Sequence, residues 1–235
     1  MEKRNSIVAA VVVAVGIIVL GLCIRGGLKS FTENQRVVTV KGLAEREVKA
    51  DKAIWPIVFK EVGNNLPALY KTVEQKNKIV IDKLKENGIT EEEITTSIDV
   101  TDLQADVYTA ERVSYRYRLS SIITVNTRKV DTVLKLMKEQ TTFIEQGLAL
   151  TFTNYSYPSV SFEFTGLNTI KPEMIKQATQ NAREAAVQFA NDSESELGKI
   201  KTASQGQFTI TDRDQNTPYI KNVRVVTTVE YMLED

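Results

Sequence analysis

VVTVKGLAEREVKADKAIWPIVFKEVGNNLPALYKTVEQKNKIVIDKLKENG, Val37 to Gly88, changes period part-way along, and that change decides the fold. Val38, Val40, Gly42 and Ala44 alternate with Thr39, Lys41 and Leu43, the period of two that a strand needs to present one face inward. A second apolar run, Ala53 to Val62, carries Ile54, Trp55, Ile57, Val58 and Phe59, and Asp51-Lys52 is the expected turn of a hairpin. Pro56 has no N–H for a ladder, so it points to an edge strand or a bulge. From Leu66 to Asn87 the period becomes helical: Leu66, Leu69, Tyr70, Val73, Val80, Ile81 and Leu84 fall on one stripe, opposite Lys71, Glu74, Lys78, Asp82 and Lys85. Asn87-Gly88 supplies the stop, because glycine accepts the left-handed conformation that closes helices.

The same succession continues toward the C-terminus. Strands are expected over Ile94–Tyr108 and Val113–Val125, the latter with Tyr115, Tyr117, Leu119, Ile123 and Val125 on one face and Arg116 and Arg118 on the other. A helix over Val130–Gln140 places Val130, Val133, Leu134 and Met137 in register. Strands follow around Ile144–Tyr155 and Ser159–Thr165. A third helix is expected from Pro172, suited to a first turn, to Asn191. Its stripe is small: Ala178, Ala182, Ala185, Ala186 and Ala190, with Met174, Ile175 and Phe189, which lets a helix lie close to a sheet. Strands over Ile200–Thr211 and Tyr219–Tyr231 end the chain. The sum is α+β, antiparallel hairpins alternating with three helices. The segments share pattern rather than residues, so no sequence repeat is read.

Toward the N-terminus the pattern is lost and then replaced. Gly26 to Arg36 reads as a tether, and Ile7 to Ile24 is an unbroken run of 18 uncharged, mostly apolar residues between Arg4 and Arg25. A helix of that length spans roughly 27 Å, close to the roughly 30 Å hydrocarbon core of a bilayer. The expected organisation is a short tail over 1–6, a transmembrane anchor over 7–24 in contact with membrane lipid, a linker over 25–36 and one domain over 37–235. A cleaved secretory signal is the rival reading; its apolar core is shorter, about 7 to 15 residues, and Arg25 follows the run at once. Cys23 reads as a small apolar residue of the helix rather than a lipidated one, since Leu22 before it is large. Lys3 and Arg4 on one side and Arg25, Lys29, Arg36 and Lys41 on the other leave sidedness open.

Composition restricts the chemistry. Lys plus Arg and Asp plus Glu number 30 each, which gives no basic excess for nucleic acid. The chain has no histidine and one cysteine, Cys23. That excludes Ser-His-Asp and Cys-His systems, imidazole and thiolate metal sites and intrachain disulfides. Carboxylate pairs and Ser-Lys arrangements survive, as does binding or assembly alone.

Four patches invite a functional reading. Asp212, Asp214 and Asn216 follow the D-x-D-x-N start of a calcium loop, but Thr217 replaces the glycine and Val223 the closing glutamate, so a polar hairpin tip ending at Thr217-Pro218 is the expectation. Glu91-Glu92-Glu93 reads as a solvated turn. Arg112, Arg116 and Arg118 beside Tyr115 and Tyr117 form either an anion-binding strip or an ordinary strand face. Tyr155-Ser156-Tyr157-Pro158 and Trp55-Pro56 are candidates for an exposed aromatic interface, or strand ends packed on the core. No catalytic, cofactor-binding or metal-binding residue is assigned.

Several blocks then resemble one family in order and spacing. Val40-Lys41-Gly42-Leu43-Ala44 with Ala50-Asp51-Lys52-Ala53 resembles the opening strand motif of the SIMPL domain family, bacterial extracytoplasmic proteins of unknown function. Asn87-Gly88-Ile89 with Ile94-Thr95, the strand tyrosine of Tyr115-Arg116-Tyr117, and Ala178, Ala182-Arg183, Ala185, Ala186 and Ala190 running into Leu197-Gly198-Lys199-Ile200 are similar to its later blocks. The resemblance covers about Val37 to the C-terminus. Ala50 stands where a proline commonly precedes the aspartate, and Asp192-Ser193-Glu194-Ser195 replaces a more apolar helix end. The resemblance implies a domain in the periplasm held by the helix to the inner (cytoplasmic) membrane, a homo-oligomer, a loose link to envelope or oxidative stress, and no catalytic group. The expectation is thus a non-catalytic binding or assembly module of unknown ligand, without cofactor or nucleic-acid partner. The alternatives are a carboxylate or Ser/Lys envelope enzyme and a small-ligand carrier.

Overall fold

The computed structural model of the chain describes residues 14–25, 27, 36–105, 114–139, 141–145, 147–151 and 159–234. It is α+β, with two antiparallel sheets and several helices. The strands are β1 (Val37–Lys49), β2 (Lys52–Gly63), β3 (Ile94–Asp102), β4 (Tyr117–Thr127), β5 (Leu150–Thr151), β6 (Ser161–Glu163), β7 (Glu196–Gln205), β8 (Thr209–Asp212) and β9 (Ile220–Glu234). The helices after the N-terminal one are α1 (Leu66–Glu86), α2 (Val130–Lys138), α3 (Thr141–Glu145) and α4 (Leu167–Asp192). One sheet has the order β1-β9-β7 with β8 also on β9; the other has β3-β4-β2-β5 with β6 also on β2.

The expected first hairpin does not form, because β1 and β2 belong to different sheets. The patterns give the reason. β1 buries alternate residues, as a strand with one covered face does, whereas β2 is buried continuously from Trp55 to Phe59. Asp51 makes a corner where the turn was expected: its amide donates to Glu163 O at 2.9 Å and its carboxylate accepts from the Thr165 and Gly166 amides at 2.8 Å each. β2 is accordingly an interior strand, paired along its whole length with β4 (Ala53↔Thr127 to Gly63↔Tyr117), and Pro56 does not mark an edge. On its other flank β6 pairs with Lys52–Ile54 and β5 with Val58–Phe59, leaving Pro56 opposite the gap between them. A missing N–H removes no ladder bond there.

Other boundaries shift for local reasons. The strand expected from Ile144 begins as helix α3, with Phe143 fully buried, and the chain turns at Gly147 (φ 77°) before β5. α4 starts at Leu167 rather than Pro172, its first turn tightened by bonds from the Thr169 amide (3.1 Å) and hydroxyl (2.7 Å) to Gly166 O. The strand expected over Ile200–Thr211 starts at Glu196 and breaks at Gly206, whose amide bonds Val226 O at 2.8 Å. α1 is as read: Asn65 caps it by accepting from the Ala68 amide at 3.1 Å, and Gly88 (φ 84°) ends it. Of the run Ile7 to Ile24, residues 7–13 lie outside the described residues and 14–25 are helical. Twelve residues rise about 18 Å, so among the described residues no helix is long and apolar enough to cross a membrane.

The chain divides into two compact units. One comprises residues 1–45, 171–209 and 224–235, and buries Val38, Ala182, Ala186, Val229 and Tyr231 together. The other comprises 46–170 and 210–223. Its core is built from large side chains, with Trp55, Phe59, Leu84, Leu119, Leu136 and Phe143 fully buried.

Candidate functional site

Each unit leaves a groove beside the edge strand of its sheet. In the first unit, Thr179, Arg183 and Val187 stand four residues apart along α4, next to the buried row Ala178, Ala182 and Ala186. They form one wall. Leu197, Gly198, Lys199 and Ile200 of β7 form the other, Tyr231 of β9 closes the floor, and the space measures about 550 Å³. The groove exists because α4 buries a single row: Ala185, Val187 and Phe189 are exposed, Phe189 by 54%. Alanines also bring α4 onto β1. At Gly42 a Cβ would fall 1.8 Å from Ala178 O and 2.4 Å from Ala182 N, so only glycine fits.

Arg183 and Lys199 make no ion pair among the described residues, and no carboxylate lines this groove. The groove of the second unit differs. It runs between α1 and β3, measures about 660 Å³, and mixes Glu74, Asp82 and Glu91 with Lys78 and Lys85, of which Lys85 and Glu91 are paired. Its charges are largely self-compensated.

The patches singled out in the sequence resolve into structural roles. Asp214 sits at the β8–β9 tip, where its carboxylate accepts from the Asn216 and Thr217 amides at 2.8 Å each, from the Thr217 hydroxyl and from Arg213 Nε at 3.1 Å. The Thr217 hydroxyl, then Arg213, pull its pKa down to about 2. Asp212 is held by Lys221. Among the described residues no three carboxylates or cysteines gather as metal ligands would.

Glu91–Glu93 form a single 3₁₀ turn closed by a capping box. Burial pushes the Glu93 carboxyl up, but bonds from the Thr127 hydroxyl (2.6 Å), the Thr90 amide (2.8 Å), Lys129 Nζ (3.0 Å) and the Thr90 hydroxyl (3.1 Å) outweigh it and hold the group at about 2. Arg116 grips Asp102 Oδ2 through Nε and one terminal nitrogen, at 3.1 and 3.0 Å, and lies 5.0 Å from the Tyr117 ring centroid. That bond lowers the Asp102 pKa and raises that of Arg116. Arg112 lies outside the described residues, as does the Tyr155–Pro158 stretch. Trp55-Pro56 is no exposed interface. Trp55 is 1% exposed, one of the largest side chains of the core, because β2 is interior.

Against known families, the model of the SIMPL family, described as a protein of unknown function (DUF541), matches residues 38–231. The chain belongs to the SIMPL family. No curated protein matches it.

In this SIMPL domain, the two late blocks of the resemblance meet in one place: Arg183 and Leu197-Gly198-Lys199-Ile200 all line the groove of the first unit. Sequence reading treated them as a packed helix and an exit turn and missed the groove. The available signal was the spacing Thr179, Arg183, Val187, a mixed polar and apolar row directly beside the alanine row. A buried polar pair was missed as well: Ser121 donates to Asn77 Oδ1 at 2.6 Å inside the second core. Asn77 stands in the stripe Leu69, Val73, Asn77, Val80, Leu84, where a polar residue needs a partner.

Proposed function

We propose that this SIMPL domain is a non-catalytic binding and assembly module of the cell envelope. In this reading the N-terminal helix anchors the chain to the inner membrane, residues 37–235 work in the periplasm as a homo-oligomer, and the setting is envelope stress. One observation carries the anchor. Val15, Ile17, Ile18, Val19, Leu20, Leu22 and Ile24 are all exposed, by 53–64%. At about 100° per residue they occupy every side of the helix, and a protein partner would cover one stripe whereas lipid covers all. The absence of catalysis is supported by the shifted carboxylates: Glu93, Asp102 and Asp214 are each held down by fixed donors, which keeps them ionised rather than poised to move protons. Assembly is supported by β7, an edge strand exposed over most of its length, with Ile200 and Phe189 uncovered beside it.

Full-length protein is expected to resist extraction with alkaline carbonate and to be cleaved by protease only after the outer envelope is opened. Release into the carbonate supernatant would remove the anchor from the reading. A strict monomer by light scattering at high concentration would remove the assembly.

A Ser/Lys enzyme is the second reading, because Lys60 and Ser120 are cross-strand partners in the β2–β4 register. Labelling by a fluorophosphonate that disappears in Ser120→Ala would favour it.

A further inference from the structure

We propose that the groove between α4 and β7 binds a single-chain anionic amphiphile, a medium-chain alkyl carboxylate, with Arg183 and Lys199 toward the headgroup and Val187, Leu197, Ile200 and Tyr231 toward the chain. The proposal deepens the binding part of the reading above and rests on it. Three observations carry it. The groove's volume of about 550 Å³ lies within the range of small-molecule sites, roughly 300 to 1,000 Å³. Its lining carries two cations and no carboxylate, in a chain whose charges balance at 30 and 30 over its whole length. Neither cation has an ion-pair partner among the described residues, whereas the other groove pairs Lys85 with Glu91.

The lining alternates cationic and apolar side chains along both walls of the groove. α4 runs toward the turn at Ser193 and β7 runs back from it, so Val187 and Leu197 lie nearer the turn, and Thr179, Arg183, Lys199 and Ile200, the last paired with Tyr231, lie farther away. A ligand with one charged end and an apolar body finds both a cation and an apolar surface in this lining. The guanidinium offers a carboxylate paired N–H donors, and the ammonium of Lys199 adds a second charge. Glu234 packs against the backbone at Gly198 without entering the lining. An acyl chain laid over Ile200, which is 51% exposed, would remove apolar surface from water that the fold itself leaves bare.

The test is calorimetric titration of the full chain in phosphatidylcholine nanodiscs with octanoate, corrected for protein-free discs. Saturable one-to-one binding is expected, weakened at least tenfold in the double variant Arg183→Gln/Lys199→Gln and measurably in Ile200→Ser, and unchanged in Lys85→Gln. Acetate and octyltrimethylammonium should give no saturable heat. Arg183 and Lys199 are exposed and have no ion-pair partner among the described residues, so an unaltered melting curve of the double variant is expected and separates lost binding from lost fold. Wild-type octanoate affinity in the double variant overturns the proposal, as does acetate binding equal to octanoate. Saturation by a poly-glutamate peptide without any octanoate response would make the two cations a site for acidic peptide and also overturn it. Carbonate extraction is indifferent to all of these results, so failure of the ligand and failure of the anchor are read separately.

Discussion

α1 and α4 each cover one face of an antiparallel sheet, and they do so with opposite materials. α1 buries Leu69, Val73, Val80 and Leu84, with Asn77 bonded to Ser121 in the middle of the row. α4 buries Met174 and then only alanines, at positions 178, 182, 186 and 190. Large side chains hold a helix away from the sheet and fill the space between; alanines let backbone approach backbone, down to the Gly42 contact. The consequence reaches the surface. A helix that buries one narrow row leaves its flanks open, and the groove with Arg183 and Lys199 is the space left beside α4.

The comparison predicts different failures in the two units. Gly42→Val should be the most damaging single change, upward of about 4 kcal/mol, because the new Cβ meets backbone that cannot move aside. Fast amide exchange in β1 and α4 would show it, and near-wild-type protection would mean that the close approach is not obligatory. Leu84→Ala in α1 should cost about 3 kcal/mol through a cavity rather than a clash, read as a lower denaturant midpoint. The Asn77–Ser121 bond should follow: Asn77→Ala strands a buried hydroxyl at about 2 kcal/mol, while Asn77→Leu with Ser121→Ala should recover much of that in a double-mutant cycle.

Acid sharpens the contrast further. The Glu93 pKa is depressed, so its contribution is complete above the ordinary glutamate value of 4.5 and is lost as pH falls toward about 2. After allowance for solvent screening at this partly exposed side chain, Glu93→Gln should remove about 1 kcal/mol at neutral pH and flatten the acid limb between those values. An acid limb identical to wild type would assign that stability elsewhere. The smallest expected effect is a gain: Thr227 Oγ1 is buried without a bonding partner among the described residues, so Thr227→Val should raise stability by up to about 1 kcal/mol.

Much of the secondary structure was legible because it depends on neighbours within a turn or a strand. The α1 stripe and its Gly88 stop, the β3–β4 pair from Ile94 and the alanine row of α4 all stand where periodicity put them. What failed were inferences about partners. Trp55-Pro56 looked like an exposed edge, yet the continuous burial from Trp55 to Phe59 belongs to an interior strand, and the proline is accommodated by a gap between β5 and β6 that no local pattern encodes. The candidate groove was illegible for the same reason: Arg183 and Lys199 are 16 positions apart and line one groove only because α4 and β7 run back along each other.

By itself, then, the chain's order of residues determined the element types, the chemistry excluded by having no histidine and a lone cysteine, and membership of the SIMPL family over 38–231. Tertiary structure alone decided that β1 and β2 part into separate sheets, that Gly42 must be glycine, and that Arg183 and Lys199 line one groove. The physical reason is range. Periodicity and capping act over a few residues, whereas pairing, close approach and the placing of charges depend on which distant segments the burial of apolar surface brings together.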